Sequence, residues 1–221
     1  MRSLFALSWA LVGAVVMASC GSSADEEAGG SEDLPAAAEA GMPAPEATGE
    51  ITCWLQNATP EEAAQRPSPL GETEIILDGH VGKICYGRPS ARGRVVEGGL
   101  IPFGSPWRLG ANEATALHLP FPVTVGGVQL EPGSYSLFAI AGESEWTLVL
   151  NSVAERWGIP INDEVRATDV GSFSATPEML PEPVEHFTIR WAAEGQGSGR
   201  LLMDWGTTRV GVDVRLRGAS D

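Results

Sequence analysis

The chain has 221 residues, with 14 basic and 29 acidic side chains and a formal net charge of −15. Such an excess of acid excludes the ordinary nucleic-acid binder, whose affinity rests on neutralising phosphates. It also argues against a domain that lies flat on anionic lipid.

The first twenty residues read MRSLFALSWALVGAVVMASC. Arg2 is a short positive start, and Leu4 to Met17 form an uncharged, largely apolar run of fourteen residues. A membrane-spanning helix needs about 20 residues, so the run reads as the core of a secretory signal peptide over residues 1–19. Met17-Ala18-Ser19-Cys20 resembles a bacterial lipobox, in which the chain is cut before the cysteine and that cysteine carries the lipid. Cys20 is then the expected lipidation site and the contact with the membrane. Gly21 stands where an inner-membrane retention signal usually shows Asp, which favours the outer membrane, facing the periplasm or the cell surface. An ordinary secreted protein with a chance cysteine is the alternative.

Between residues 21 and 50 lie eight acids, from Asp25 to Glu50, and no lysine or arginine, among Ala, Gly, Ser and Pro. Such a composition cannot bury enough apolar surface to offset its ordering entropy, so residues 20–50 read as a disordered acidic linker with a reach of about 30 Å. The expected folded domain is 51–217, with 218–221 as a tail. Without Arg2 and the eight linker acids, the domain and tail together carry 13 basic and 21 acidic residues, close to −8. With Cys20 set aside, Cys53 and Cys85 are an even pair in an oxidising compartment and are expected to form a disulfide.

Thr59-Pro60-Glu61-Glu62 has the form of a capping box with proline at the first helical position, predicting a short helix that stops before Pro67. TEIILDGHVGKICYG (73–87) reads as a hairpin around Asp78-Gly79. Strands follow at 113–120, at 123–130 around a Gly126-Gly127 turn, at 134–140 and at 145–151. Ser152-Val153-Ala154-Glu155 predicts a second capped helix ending at Gly158, and 164–175 a further strand. EHFTIRWA (185–192) alternates, with Phe187, Ile189 and Trp191 facing in, and RLLMDWG (200–206) and TRVGVDVRLR (208–217) close the chain. Many short strands between turn residues predict an all-β antiparallel sandwich or jelly roll.

Catalytic signatures are missing from the sequence: there is no G-x-S-x-G elbow, H-E-x-x-H, C-x-x-C or Walker loop. His80, His118 and His186 are far apart in sequence, so no metal and no cofactor are expected. Residues 88–112 stand out instead. They hold Arg88, Arg92, Arg94 and Arg108 against the single acid Glu97, over 25 residues with three prolines and five glycines. Long connections of this kind are often functional. Arginine grips carboxylate or phosphate with a planar fork, and Trp107 offers a flat apolar face. Tyr86, Arg88, Arg94, Trp107, Arg108, Asn112 and Glu113 are the candidate ligand contacts, with Arg108 expected to fold back onto Glu113. The competing reading makes the same arginines internal ties that pin a long loop onto an acidic domain.

YGRPSARGRVVEGGLIPFGSPWRLGANEAT, followed by VTVGGVQLEPGSYSLFAI, EWTLVLN, LPEPVEHFTI and TTRVGVDV, resembles the bacterial domain-of-unknown-function 2911 family over about residues 72–217. The family pattern carries Tyr86, Arg88, Pro89, Gly93, Arg94, Gly98, Gly99, Leu100, Pro102, Gly104, Trp107, Arg108, Gly110, Ala111, Asn112, Glu113 and Thr115. The resemblance implies an exported envelope protein and assigns no reaction. Cys53 to Leu70 looks like a subgroup feature. Three functions follow: a tethered module for a small anionic or carbohydrate-like ligand; a structural or protein-interaction domain of the envelope; and a hydrolase using Glu113 with a second carboxylate.

Overall fold

The computed structural model describes residues 50–218. The signal peptide, Cys20, most of the acidic linker and the last three residues lie outside the described residues. Two antiparallel sheets share one apolar core. The larger runs in the order β1 (Leu70–Leu77), β2 (His80–Gly87), β4 (Thr115–Leu119), β7 (Gly133–Ile140), β8 (Trp146–Asn151) and β9 (Asp169–Ala175). The two-residue β3 (Pro106–Trp107) joins it by pairing with the end of β7. The smaller sheet runs β10 (Pro177–Ala193), β11 (Ser198–Leu216), β5 (Val123–Val125) and β6 (Val128–Leu130). The predicted all-β antiparallel architecture is the observed one.

Local chemistry explains much of it. Asp78 and Gly79 both take positive φ, 49° and 80°, as a type I′ turn requires, and the β1–β2 ladder runs without a break from Leu77↔His80 to Leu70↔Gly87. Strand alternation then places Ile75, Leu77 and Ile84 in the core with Val210, Val212 and Val214 of the facing sheet. The helix α1 (Pro60–Ala64) carries the predicted capping box, with Glu62 N–H donating to Thr59 Oγ1 and Thr59 N–H to Glu62 Oε2. Cys53 and Cys85 form the expected disulfide.

Three local expectations are corrected. Ser152–Gly158 is not a helix: Arg156 O accepts from Ala114 N–H and Gly158 N–H donates to Asn112 O, so this backbone is committed to the strand-like bridge Glu113↔Trp157. The short helix of this region lies later, as α2 (Asp163–Arg166), capped by Asn162, and shortens the strand predicted over 164–175 to β9. Residues 200–206 and 208–217 form one 19-residue strand, which passes through Gly206 at φ 57°.

β10 and β11 make the longest ladder, and it is interrupted. Register shifts occur between Met179 and Val184 and between Val184 and Thr188. Pro181 and Pro183 have no N–H to give to a ladder at this point. Opposite the interruption, Gly206 leaves room for the loop above it, since a Cβ there would lie 3.0 Å from Val96 Cβ and 3.2 Å from Glu97 Oε1.

Candidate functional site

The 88–105 loop is tied down at both ends. Pro89 O accepts from Phe187 N–H and Glu185 O from Ala91 N–H, so the loop extends the edge of β10 through the bridge Ser90↔His186. Glu185 returns its own carboxylate, with Oε1 accepting from Ser90 Oγ and from Arg92 N–H. These hydrogen bonds, Ser90 first, hold the Glu185 carboxyl below its ordinary range. Arg94 closes on its own loop, Nε donating to Ala91 O and Nη2 to Ser90 O, both at 2.9 Å. Leu100 N–H and Ile101 N–H then reach back to Val95 O and Val96 O. Arg88 lies against Gly71 and donates from Nη2 to Thr188 Oγ1 at 3.3 Å.

Trp107 is part of the core. It is 8% exposed, stacks on Trp205 with ring centroids 5.8 Å apart, and meets Phe187 and Trp146 edge-on at 5.2 and 6.1 Å. Trp205 Nε1 donates to Glu185 O, which satisfies the one polar atom of that ring. Tyr86 is buried beneath, edge-on to Phe187, with its hydroxyl donating to Ile189 O and accepting from Ile189 N–H. The aromatic face expected to meet a ligand is already covered by other aromatic rings.

Residues 108–113 form a tight left-handed turn: Leu109 and Asn112 take φ of 52° and 63°. It packs so closely on β2 that a Cβ at Gly87 would fall 2.1 Å from Ala111 O. Asn112 Nδ2 donates to Ser68 O. Glu113 does not pair with Arg108. It accepts from Arg66 Nη1 at 3.0 and 2.9 Å on its two oxygens and from Gln56 N–H at 3.0 Å, which docks the 51–67 segment onto the domain. Arg66, 47 residues away, was chosen by nothing local. Arg108 is half-buried against Gly158, and burial lowers its pKa. Among the described residues no acid pairs with it.

The seven candidates therefore do not converge. Tyr86 and Glu113 border only a crevice of about 10 Å³, whereas Arg94 lines a concavity of about 450 Å³ between the loop (Ala91, Val95, Glu97) and the β10–β11 bulge (Val184, Gly206, Thr207). A second concavity, of about 250 Å³, adjoins it through Glu97 and Thr207 and takes in Phe103, Trp146, Glu178 and Met179. Large apolar side chains stand open around the pair: Val95 is 71%, Phe103 41% and Met179 89% exposed. Glu97 Oε1 is buried with no hydrogen-bond donor among the described residues. In the sequence Glu97 stands out only as the loop's lone acid. The loop's apolar residues were the available signal, but the sequence does not tell exposed Val95 and Phe103 from buried Val96 and Ile101.

Other charged groups are structural. Asp204, almost buried, accepts from Arg190 at 2.7 Å and from Arg209 Nε and Nη2 at 2.7 and 2.8 Å. Burial pushes its carboxyl up, but the two guanidinium groups outweigh this and hold it below the ordinary range. His118, buried in β4, bonds Ser134 Oγ through Nδ1. Among the described residues no group of His, Cys, Asp and Glu could hold a metal ion, and no helix is long and apolar enough to cross a membrane.

The fold and this loop define an antiparallel two-sheet β domain with one elaborated connection laid across its long β10–β11 arm. Residues 68–214 match the family model described as Protein of unknown function (DUF2911), and the chain belongs to that family. The disulfide partner Cys53, α1 and Arg66 precede the matched segment. No curated protein and no solved structure matches the chain.

Proposed function

We propose that this chain is an exported lipoprotein, anchored through Cys20, whose β domain holds a small carbohydrate-like ligand in the groove over Glu97 and Thr207. One observation carries the reading: two concavities meet at those residues and are ringed by exposed Val95, Phe103 and Met179. The larger, about 450 Å³, falls in the lower part of the range usual for small-ligand sites, about 300–1,000 Å³, and the smaller, about 250 Å³, lies just below it. The lining suits a ring with hydroxyls on its edge and C–H on its face. Glu97 and Glu178 accept hydrogen bonds, Thr207 and Thr208 both donate and accept, and the exposed Phe103 and Met179 supply apolar surface. A small anion suits it less well. Carboxylates dominate one arm, and Arg94, the cation of the other, has two nitrogens engaged on backbone carbonyls. The groove replaces the 107–113 stretch as the proposed site, because that stretch is occupied by internal contacts.

The test is a panel of neutral oligosaccharides screened by calorimetry against the full chain. Glu97→Gln is expected to weaken the best binder at least 10-fold while leaving the melting temperature equal or higher, since it removes a buried carboxylate oxygen that lacks a donor. A panel without a binder, or a binder indifferent to Glu97→Gln, overturns the site. In the same preparations, Cys20→Ala is expected to move the protein from the membrane to the soluble fraction. Wild-type protein that is wholly soluble refutes the anchor.

A further inference from the structure

Another cleft, of about 490 Å³, lies on the 153–168 segment and shares no lining residue with the groove over Glu97. Its walls are apolar: Val153, Trp157, Ile159, Pro160 and Val165. Trp157 is 37% and Ile159 53% exposed. One cation lines it, Arg156. Arg156 Nη1 donates to Trp157 O at 3.1 Å, but Nε and Nη2 are buried with no hydrogen-bond partner among the described residues.

Arg88, Arg94 and Arg108 also lack carboxylate partners, but among the described arginines only Arg156 leaves two guanidinium nitrogens buried and without a hydrogen-bond partner. Arg66, Arg190, Arg209 and Arg217 are paired with acids in this acid-rich domain. The acid that acts on Arg156, Asp169, spends its oxygens on Asn151 Nδ2 at 2.9 Å and Arg166 Nε at 3.4 Å. A guanidinium withdrawn from water without an acceptor forfeits strong charge-assisted hydrogen bonds. The Nε–Nη2 edge offers two parallel N–H donors, the spacing a carboxylate accepts in bidentate fashion. The walls beside it add apolar area that has no cover in the described residues.

We propose that this cleft binds an aliphatic carboxylate of medium chain length, its head on the Nε–Nη2 edge of Arg156 and its chain along Trp157, Ile159 and Pro160. The segment stands at a turn whose backbone is fixed by Asn112 and Ala114, so the floor is held while the Arg156 side chain turns its free edge to the ligand. Glu164, also on the lining, repels a second negative charge and restricts the ligand to a monoanion.

Octanoate and octanol, titrated by calorimetry into the full chain carrying Cys20→Ala, test this without detergent. Octanoate is expected to bind with a Kd of about 0.1–1 mM, the range for a ligand of about ten heavy atoms. Octanol should bind at least 10-fold more weakly. Arg156→Gln should reduce octanoate affinity at least 10-fold, Arg156→Lys should not restore it fully, and Ile159→Asp, at an exposed position, should abolish binding with the melting temperature unchanged. Should Arg156→Gln fail to fold, the octanoate–octanol comparison on the parent chain and Ile159→Asp still decide. No octanoate binding at 10 mM ligand, about tenfold above the weakest expected Kd, equal affinity for octanol, or binding unaffected by Ile159→Asp overturns the proposal.

Discussion

Trp107→Ala is expected to lower the unfolding free energy by about 3–5 kcal/mol, the usual cost of deleting a large buried aromatic ring. Two effects add here. The ring's apolar area returns nothing once a cavity is left, and its stacked and edge-on partners Trp205, Trp146 and Phe187 lose their geometry. Those partners come from β11, β8 and β10, so the cavity opens between both sheets. Urea denaturation of the full chain measures the cost, and near-UV circular dichroism should lose the signal of the stacked pair. A loss below about 1 kcal/mol, typical of a surface position, would place the ring outside the core and return it to the ligand-contact reading.

Breaking the Cys53–Cys85 bond by Cys53→Ser is expected to cost about 3–4 kcal/mol, the chain-entropy contribution of a closed loop of this length, whose cysteines are 32 residues apart. That corresponds to a melting-temperature drop of roughly 10 °C for a domain of this size. The loss should concentrate at the 51–67 segment, which has few other polar holds: the Arg66–Glu113 pair, Gln56 N–H on the same carboxylate and, one residue beyond it, Asn112 on Ser68 O. Hydrogen exchange should therefore quicken at residues 54–66 before it quickens in β4 or β7. Cys53→Ser that leaves both the melting temperature and this protection unchanged would refute the stapling role. Glu113→Gln combined with Cys53→Ser should cost less than the two losses added, because both act on the same docked segment.

Local signals were legible where chemistry within a few residues decides the backbone. Thr59 with Glu62 capped α1, Asp78-Gly79 turned the first hairpin, and period-2 alternation set the inward faces of β10 and β11. The same reasoning failed at Ser152–Glu155, where an equally good capping pattern makes no helix. Ala154 is buried, and the backbone of Arg156 and Gly158 bonds instead to residues 112 and 114. A short helix contributes little stability by itself, so a tertiary pairing overrides it.

The candidate site divides along the same line. Its special residues could be picked from composition: a basic, glycine-rich loop in an acidic domain is visible in one dimension. Their roles could not, because each role is set by a partner distant in the chain. Glu113 meets Arg66 rather than Arg108, Trp107 meets rings near positions 146, 187 and 205, and Arg94 folds onto its own loop while Arg156 lacks an acceptor. By itself the sequence determined the β class, the strand alternation and the disulfide pair, since these follow from short-range sterics, from periodicity and from counting cysteines. Only the tertiary structure decided which charges pair, which aromatic rings are covered and where the surface stays concave. Electrostatic partners and apolar neighbours are chosen by distance in space, and a domain with this many acids offers each arginine several partners that one dimension cannot rank.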